Sequence, residues 1–240
     1  MSEHISRKEL KHDRVRETIE HGAEAVFSHT RLASIAILVA IVLLSGYYGW
    51  KIYNDRQTAQ AQAALDDAMK VFNAQILLPG QPNLPGEISY IDPSQRSQDA
   101  EVKLSAVAAK YPNTSPGRLA RYYSALCLMD LDKLNQASEE LKKLGSGSDK
   151  ELAALAEFQK ALIAERTGKK DEAIQILMTL SNSGSILVPK PLVLLEVAGI
   201  YRQTDPRKAA ALYEQIKKDY PNTNVADEAD RGLGGLAPQS

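Results

Sequence analysis

An uninterrupted apolar stretch near the N-terminus constrains this chain more than any other feature. Residues 32–50 (LASIAILVAIVLLSGYYGW) carry no charge and are flanked by Arg31 and Lys51. Crossing the hydrocarbon core of a bilayer takes roughly 20 apolar residues in one helix, whereas buried core helices are usually shorter and interrupted by polar residues. We therefore expect a transmembrane helix over residues 32–50.

The same stretch is predicted to be an uncleaved signal anchor. A cleaved signal peptide needs small residues before its cleavage site, but this apolar run ends in Tyr47, Tyr48 and Trp50. Aromatic rings of this kind suit a membrane interface, where the ring is buried and its polar tip stays wet. The anchor separates a polar tail, residues 1–31, whose apolar residues form one amphipathic stripe, from a large domain over residues 54–235.

Charge predicts the orientation of the chain and excludes one class of partner. Basic residues close to the two ends of the apolar stretch balance, and Arg7, Lys8 and Lys11 in the tail tip the count toward a cytoplasmic N-terminus. The domain is then expected outside the cytoplasm. The formal net charge is −1, with acidic residues interleaved throughout, so the chain lacks the basic surface that phosphate backbones demand. We expect no nucleic-acid partner.

An internal repeat organises the chain beyond the anchor. A Tyr-Pro-Asn-Thr run at residues 111–114 returns at residues 220–223. A small residue at a helix crossing lets two helices approach closely, and a repeat of 36 or 37 residues is typical of stacked helical hairpins. We expect an alanine near the start of each second helix. Four alanines are separated by 37, 36 and 36 residues, and each has a larger apolar residue four positions later. They are Ala100, Ala137, Ala173 and Ala209.

Turn residues agree with helical hairpins. Gly168 stands five residues before one of these alanines, as a glycine closing the preceding helix does. Asp92, Ser115 and Asp205 each precede a proline, an arrangement that starts helices. Alanine opening the second helix and proline near the end of the repeat resemble the tetratricopeptide pattern, although no tryptophan stands near the start of a repeat. The predicted fold class is all-α, an N-terminal transmembrane helix followed by a tetratricopeptide-like α-solenoid of about four helical hairpins.

The periodicity also predicts the bounds of the helices. Residues 78–92 are rich in proline and are expected to form an extended insertion within the first hairpin. A final helix should cover the exposed face of the last repeat, and residues 236–240 are predicted to be disordered. The predicted segments are 54–77 and 93–111 for the first hairpin, 116–144, 149–180 and 189–220 for the three complete hairpins, and 224–232 for the final helix.

The residues of the domain do not indicate catalytic or metal-binding chemistry. All four histidines lie in the tail, at spacings that do not pair neighbours on one helix face, so no Ser-His-Asp or Cys-His arrangement is available in the domain. Cys127 lies in an apolar run, as a core cysteine would, and the single cysteine fits either redox compartment. Residues 145–148 (GSGS) lack the lysine of a phosphate loop. We expect no enzymatic activity, cofactor, metal site or small-molecule substrate.

A protein-binding surface is therefore the predicted functional site. In stacked hairpins the first helix of each pair lines the concave side, so its residues at i, i+3, i+7 and i+10 can meet a partner or pack against the neighbouring hairpin. Aromatic, Met and Arg side chains are enriched at interfaces, which favours Tyr122, Met129, Phe158 and Arg202. The candidate residues are Leu119, Tyr122, Leu126, Met129, Leu155, Phe158, Leu162, Glu165, Leu192, Leu195, Gly199 and Arg202.

The order of the parts resembles one known family. GWKIYN (residues 49–54) closes a single N-terminal span, an alanine-rich segment follows over residues 59–74, and AEVKL (residues 100–104) leads into the hairpins. This arrangement is similar to that of the bacterial ancillary SecYEG translocon subunit family over residues 35–180. The resemblance implies an inner-membrane protein with a periplasmic domain, beside the translocon and a membrane-anchored chaperone of the prolyl isomerase type. The long tail and the proline-rich insertion depart from that family's compact form.

Three functions follow as alternatives. The leading hypothesis is a noncatalytic chaperone or adaptor that assists unfolded exported proteins at the secretion translocon, with broad and weak binding. A structural scaffold for a cell-envelope assembly or division complex would instead bind one folded partner tightly. A regulator of an enzyme, with the domain in the cytoplasm, would need the opposite topology.

Overall fold

The computed structural model describes residues 30–78, 81–82, 85–145 and 149–236, with side chains from Ser34 onward. Within these residues the chain forms nine helices and one pair of two-residue strands, which confirms the all-α prediction. The strands are β1 (Gln75–Ile76) and β2 (Ser89–Tyr90). The helices are α1 (Thr30–Phe72), α2 (Pro93–Lys110), α3 (Ser115–Asp130), α4 (Leu134–Lys142), α5 (Lys150–Arg166), α6 (Lys170–Leu180), α7 (Lys190–Thr204), α8 (Pro206–Asp219) and α9 (Asn224–Gly234).

The chain divides into two compact units, Met1–Arg56 and Gln57–Ser240. In the first unit every described side chain, from residue 34 to residue 56, is exposed. The helix over Ser34–Phe72 contains a stretch with a mean hydropathy of 1.8, so by length and composition it can span a membrane. The predicted tail, with all four histidines, lies almost entirely outside the described residues.

The second unit consists of helical hairpins whose bounds agree closely with the repeat. Residues 57–72 of α1 and helix α2 contribute to one core, and α3 with α4, α5 with α6, and α7 with α8 form the three complete hairpins. The alanines expected at the crossings are fully buried. A larger side chain at these positions would push the paired helices apart. The larger residues four positions later are buried with them: Leu104, Leu141, Leu177 and Tyr213.

Polar side chains start the helices at the expected turns, with one correction. The carboxylates of Asp92 and Asp205 accept backbone N–H groups from the first turns of α2 and α8, as predicted. Ser115, predicted as the capping residue, is instead the first residue of α3. Thr114 provides the cap, because its hydroxyl oxygen accepts the Gly117 N–H at 3.1 Å.

Two equivalent turns lie within hairpins: one joins α3 to α4 in the second hairpin, and the other joins α5 to α6 in the third. Gly168 has φ +79°, which confirms its predicted role at the end of α5, and Asp132 has φ 57° at the same place after α3. In both turns the next N–H reaches back to a carbonyl of the preceding helix at 2.8 Å, from Lys169 and from Lys133. The left-handed residue therefore recurs 36 positions apart with a different side chain.

The insertion in the first hairpin is closed at its base rather than extended throughout. Strands β1 and β2 pair in parallel, with Gln75 opposite Ser89 and Ile76 opposite Tyr90. Because residues 75 and 76 join this pair, α1 ends at Phe72 and not at the predicted residue 77. Residues 79–80 and 83–84 of the insertion lie outside the described residues.

The C-terminal helix α9 covers the last hairpin, as predicted. Ala229 is fully buried against α8 in a core that includes Tyr213. Leu236, predicted to begin a disordered end, is instead half-buried and packs against this core. Residues 237–240 lie outside the described residues.

Candidate docking surface

The predicted contact row lies on the first helices α3, α5 and α7, and most of its side chains are half-buried. Such side chains pack on one side and leave the other side open to a partner. Arg202 is exposed near the C-terminal end of α7. The half-buried members are Leu119, Leu126, Leu155, Phe158, Leu162, Glu165, Leu192, Leu195 and Gly199.

Two predicted contact residues lie inside the domain instead. Tyr122 and Met129 retain 7% and 8% of their exposure and belong to the core between the second and third hairpins. The Tyr122 hydroxyl accepts a hydrogen bond from the Gln159 side-chain amide at 3.3 Å. These two side chains were expected to meet a partner because of their residue type, but the neighbouring repeat covers them. Half-buried leucines of the row pack against the core cluster that contains these two side chains.

The remaining apolar side chains of the row lie where neighbouring hairpins meet. Leu126 on α3 and Leu162 on α5 pack against the same core cluster, and Phe158 packs against the next cluster along the chain. Leu195 on α7 packs against the last one. The row therefore follows the stacking of the repeats.

An arginine fixes the second hairpin to the third. Arg166, at the end of α5, donates one hydrogen bond to the Met129 carbonyl at 3.2 Å and another to the Asp132 carboxylate at 3.0 Å. Asp132 is the left-handed residue of the turn after α3. Charge-assisted bonds from one planar group to the end of α3 and to the turn after it define the distance and orientation between the two hairpins.

Comparison with protein families assigns this architecture. A family described as tetratricopeptide repeat-like domain matches residues 29–184, more than half of the chain. The chain belongs to the tetratricopeptide repeat-like domain family. A second family, described as tetratricopeptide repeat, matches residues 193–223, which contain most of α7 and all of α8. Comparison with curated proteins found no match, and comparison with solved structures found none.

Two carboxylates distinguish the candidate docking surface, which is the predicted contact row on α3, α5 and α7 of this tetratricopeptide domain. Glu165 on α5 and Glu196 on α7 are both half-buried. Burial raises the pKa of Glu196 above its ordinary value, and the nearby charge of Glu165 raises it further. Sequence analysis placed Glu165 in the row but missed Glu196, which lies four residues after Leu192 and three before Gly199 and so shares their helix face.

Among the grooves formed by the described residues of the tetratricopeptide domain, two combine a second helix with its neighbours. One, of about 850 Å³, lies between α2 and α4 over α3, and its Arg121 guanidinium pairs with Glu140. The other, of about 790 Å³, lies along α5 and α6 and includes Glu151. The charged groups named here already have partners within the domain, so they offer little unmatched chemistry to a ligand.

Glu151 holds the loop between α6 and α7. Its carboxylate accepts hydrogen bonds from the Ser185 hydroxyl at 2.6 Å and from the Ile186 and Leu187 N–H groups at 3.0 Å. These bonds, the Ser185 bond first among them, lower the pKa of Glu151. The loop is thus fixed while its Ile186 side chain remains 83% exposed.

The only thiol is a core residue. Cys127 is 1% exposed, and burial, together with the charges of Asp130 and Glu101, raises its pKa to about 12. Within the described part of the chain, no group of three or more His, Cys, Asp or Glu side chains is arranged to hold a metal ion.

Proposed function

We propose that this protein is a noncatalytic, membrane-anchored adaptor that assists exported polypeptides at the secretion translocon. The observation that carries the proposal is a tetratricopeptide array joined in one chain to a helix apolar and long enough to span a membrane. Tetratricopeptide repeats imply protein partners, and an anchored array keeps its binding surface near proteins that cross the membrane. The order of parts that resembles the ancillary translocon subunits supports the choice of this membrane process.

The docking surface suits partners of varied sequence. Its half-buried apolar side chains on α3, α5 and α7 can contact extended apolar segments, which unfolded exported proteins expose before they fold. Translocon subunits and a membrane-anchored periplasmic chaperone are the proposed neighbours. A small-molecule substrate, a cofactor and catalysis have no part in this proposal.

The proposed location is the cell inner membrane, crossed once. The tail, residues 1–31, is placed in the cytoplasm, because Arg7, Lys8 and Lys11 add basic residues to that side. The repeat domain is then periplasmic. Cysteine accessibility at an exposed position such as Ser94, measured with a membrane-impermeant reagent in intact spheroplasts, tests this orientation.

Site-specific photo-crosslinking tests the function. A photoreactive phenylalanine analogue at Phe158 places the probe on the docking surface, and the same analogue at the exposed Glu214 on the second helix α8 is the matched control. Capture of translocon subunits, a periplasmic chaperone and several exported proteins at Phe158 but not at Glu214 would support the proposal. A single folded envelope protein would support the scaffold alternative, and a cytoplasmic enzyme would contradict the proposed topology.

A further inference from the structure

Two unpaired carboxylates lie on the docking surface described above. Within the described residues, the side chains of Glu165 and Glu196 accept no hydrogen bond and form no ion pair. Both side chains are half-buried, so part of their hydration is lost when the domain folds. A partly desolvated carboxylate without a partner is unfavourable, and a second negative charge nearby adds to the cost.

The other half-buried carboxylates of the described residues all have partners. These partners include basic side chains, hydroxyl groups and backbone N–H groups. The contrast shows that this domain pairs its partly buried acids as a rule, and that Glu165 on α5 and Glu196 on α7 are the exception. The paired residues are Glu101 with Ser124, Glu140 with Arg121, Asp149 with Leu152, Glu151 with Ser185, Glu157 with Lys160, and Asp205 with Lys208.

Half-buried apolar side chains lie on the same two helices as the acids. Phe158 and Leu162 precede Glu165 on the same face of α5. On α7, Leu195 directly precedes Glu196 in the sequence. All three apolar side chains are half-buried. The surface therefore combines partly open apolar area with two negative charges that nothing in the described domain neutralises.

We propose that Glu165, Glu196 and the adjacent apolar side chains bind a polypeptide segment in which a lysine or arginine is flanked by apolar residues. The proposal rests on the adaptor function above and names the chemistry of its clients. Charge complementarity decides the occupant: a cationic side chain placed between the two acids removes their mutual repulsion and replaces the hydration that they lost. The flanking apolar residues of the segment contact Phe158, Leu162 and Leu195.

Matched peptides test the proposal on the full-length protein in detergent micelles. One fluorescent peptide carries a central lysine between leucine and valine residues, and its partner carries glutamine in place of the lysine. Binding is measured by fluorescence anisotropy at low and at high salt. We expect the lysine peptide to bind about tenfold more tightly at low salt, a difference of about 1.4 kcal/mol that shrinks at high salt.

Paired variants assign the preference to the two acids. Glu165→Gln with Glu196→Gln should abolish the preference for lysine and leave the affinity for the glutamine peptide unchanged. Glu172→Gln with Glu214→Gln removes the same charge from the exposed surface of the second helices and should keep the preference. Circular dichroism confirms that each variant is folded.

The outcomes separate this inference from the adaptor function. Equal binding of the two peptides to the natural sequence, or a preference that survives in the Glu165→Gln, Glu196→Gln variant, would overturn the inference while leaving apolar docking intact. Absence of binding by either peptide would contradict both the inference and the proposed client-binding function.

Discussion

Replacing Gly117 with alanine should destabilise the repeat domain, because the added Cβ would collide with the Tyr111 carbonyl oxygen. That oxygen is held in place by hydrogen bonds from the Thr114 N–H at 3.1 Å and the Thr114 hydroxyl at 3.0 Å. The same hydroxyl caps α3 by accepting the Gly117 N–H. A backbone oxygen cannot rotate away as a side chain can, so alanine requires the turn to change conformation.

The second Tyr-Pro-Asn-Thr run shows a turn that accepts alanine. There the position equivalent to Gly117 is Ala226, Asn222 is left-handed with φ 61°, and within the described contacts the Thr223 N–H does not close the turn. Adopting this geometry before α3 would lose one backbone hydrogen bond, about 1 kcal/mol, and force Asn113 into the left-handed region, about 1 kcal/mol more. We therefore expect Gly117→Ala to lower the free energy of unfolding by about 2 kcal/mol and the Tm by about 4–8 °C.

Thermal unfolding followed by circular dichroism measures this effect. Gly199→Ala is the matched control, since a Cβ at Gly199 would meet nothing within 4 Å. Alanine in a helix interior is favoured over glycine by about 0.5–1 kcal/mol, so this variant should be more stable than the natural sequence. Adding Asn113→Gly to Gly117→Ala should recover about half of the lost stability, because glycine adopts the left-handed conformation freely. An unchanged Tm for Gly117→Ala, or no recovery by Asn113→Gly, would refute the steric argument.

Three further predictions concern titratable groups. Cys127 should resist alkylation by a maleimide at mildly alkaline pH until the protein is denatured, because burial raises its pKa to about 12; rapid labelling of the folded protein would contradict this. Hydrogen bonds from Ser185 and its neighbours lower the pKa of Glu151, so their stabilisation is present above the ordinary glutamate pKa and lost as the pH falls through the lowered value. Glu151→Gln or acidification should accordingly speed hydrogen exchange at the Ile186 amide, and an exchange rate independent of pH, after correction for intrinsic exchange, would argue against this role. Burial raises the pKa of Glu196, so stability is lost as the pH rises from the ordinary glutamate value through the raised one, and Glu196→Gln should increase the Tm at neutral pH but not in acid.

The repeat architecture could be predicted because its signals are local. A crossing of two helices demands a small residue wherever it occurs, so Ala137 and Ala173 mark the second helices without any knowledge of their neighbours. Gly168 likewise predicts a left-handed turn, because glycine adopts that conformation freely. Asp132, in the same conformation 36 residues earlier, gave no such signal, because aspartate is common in many other settings.

Burial within the contact row could not be predicted in the same way. Tyr122 and Tyr123 are adjacent aromatic residues on α3, yet Tyr122 is buried and Tyr123 is half-buried against Phe72. The difference depends on which neighbouring helix covers each side chain, and that is a property of the stack. The parallel pairing of Ile76 with Tyr90 depends in the same way on where the insertion returns.

We infer that the state of a charge indicates a docking position better than residue type does. Glu140 on the second helix α4 is neutralised by Arg121, and a charge already paired inside a domain gains little from a partner. The first helix α5 contains both situations, because Glu157 pairs with Lys160 whereas Glu165 has no partner among the described residues. A partly buried charge without a partner destabilises the domain, and a complementary ligand can relieve that destabilisation. For the proposed cationic client, binding would therefore gain most at the end of α5, where Glu165 is unpaired, and least at the middle of that helix, where Glu157 is paired.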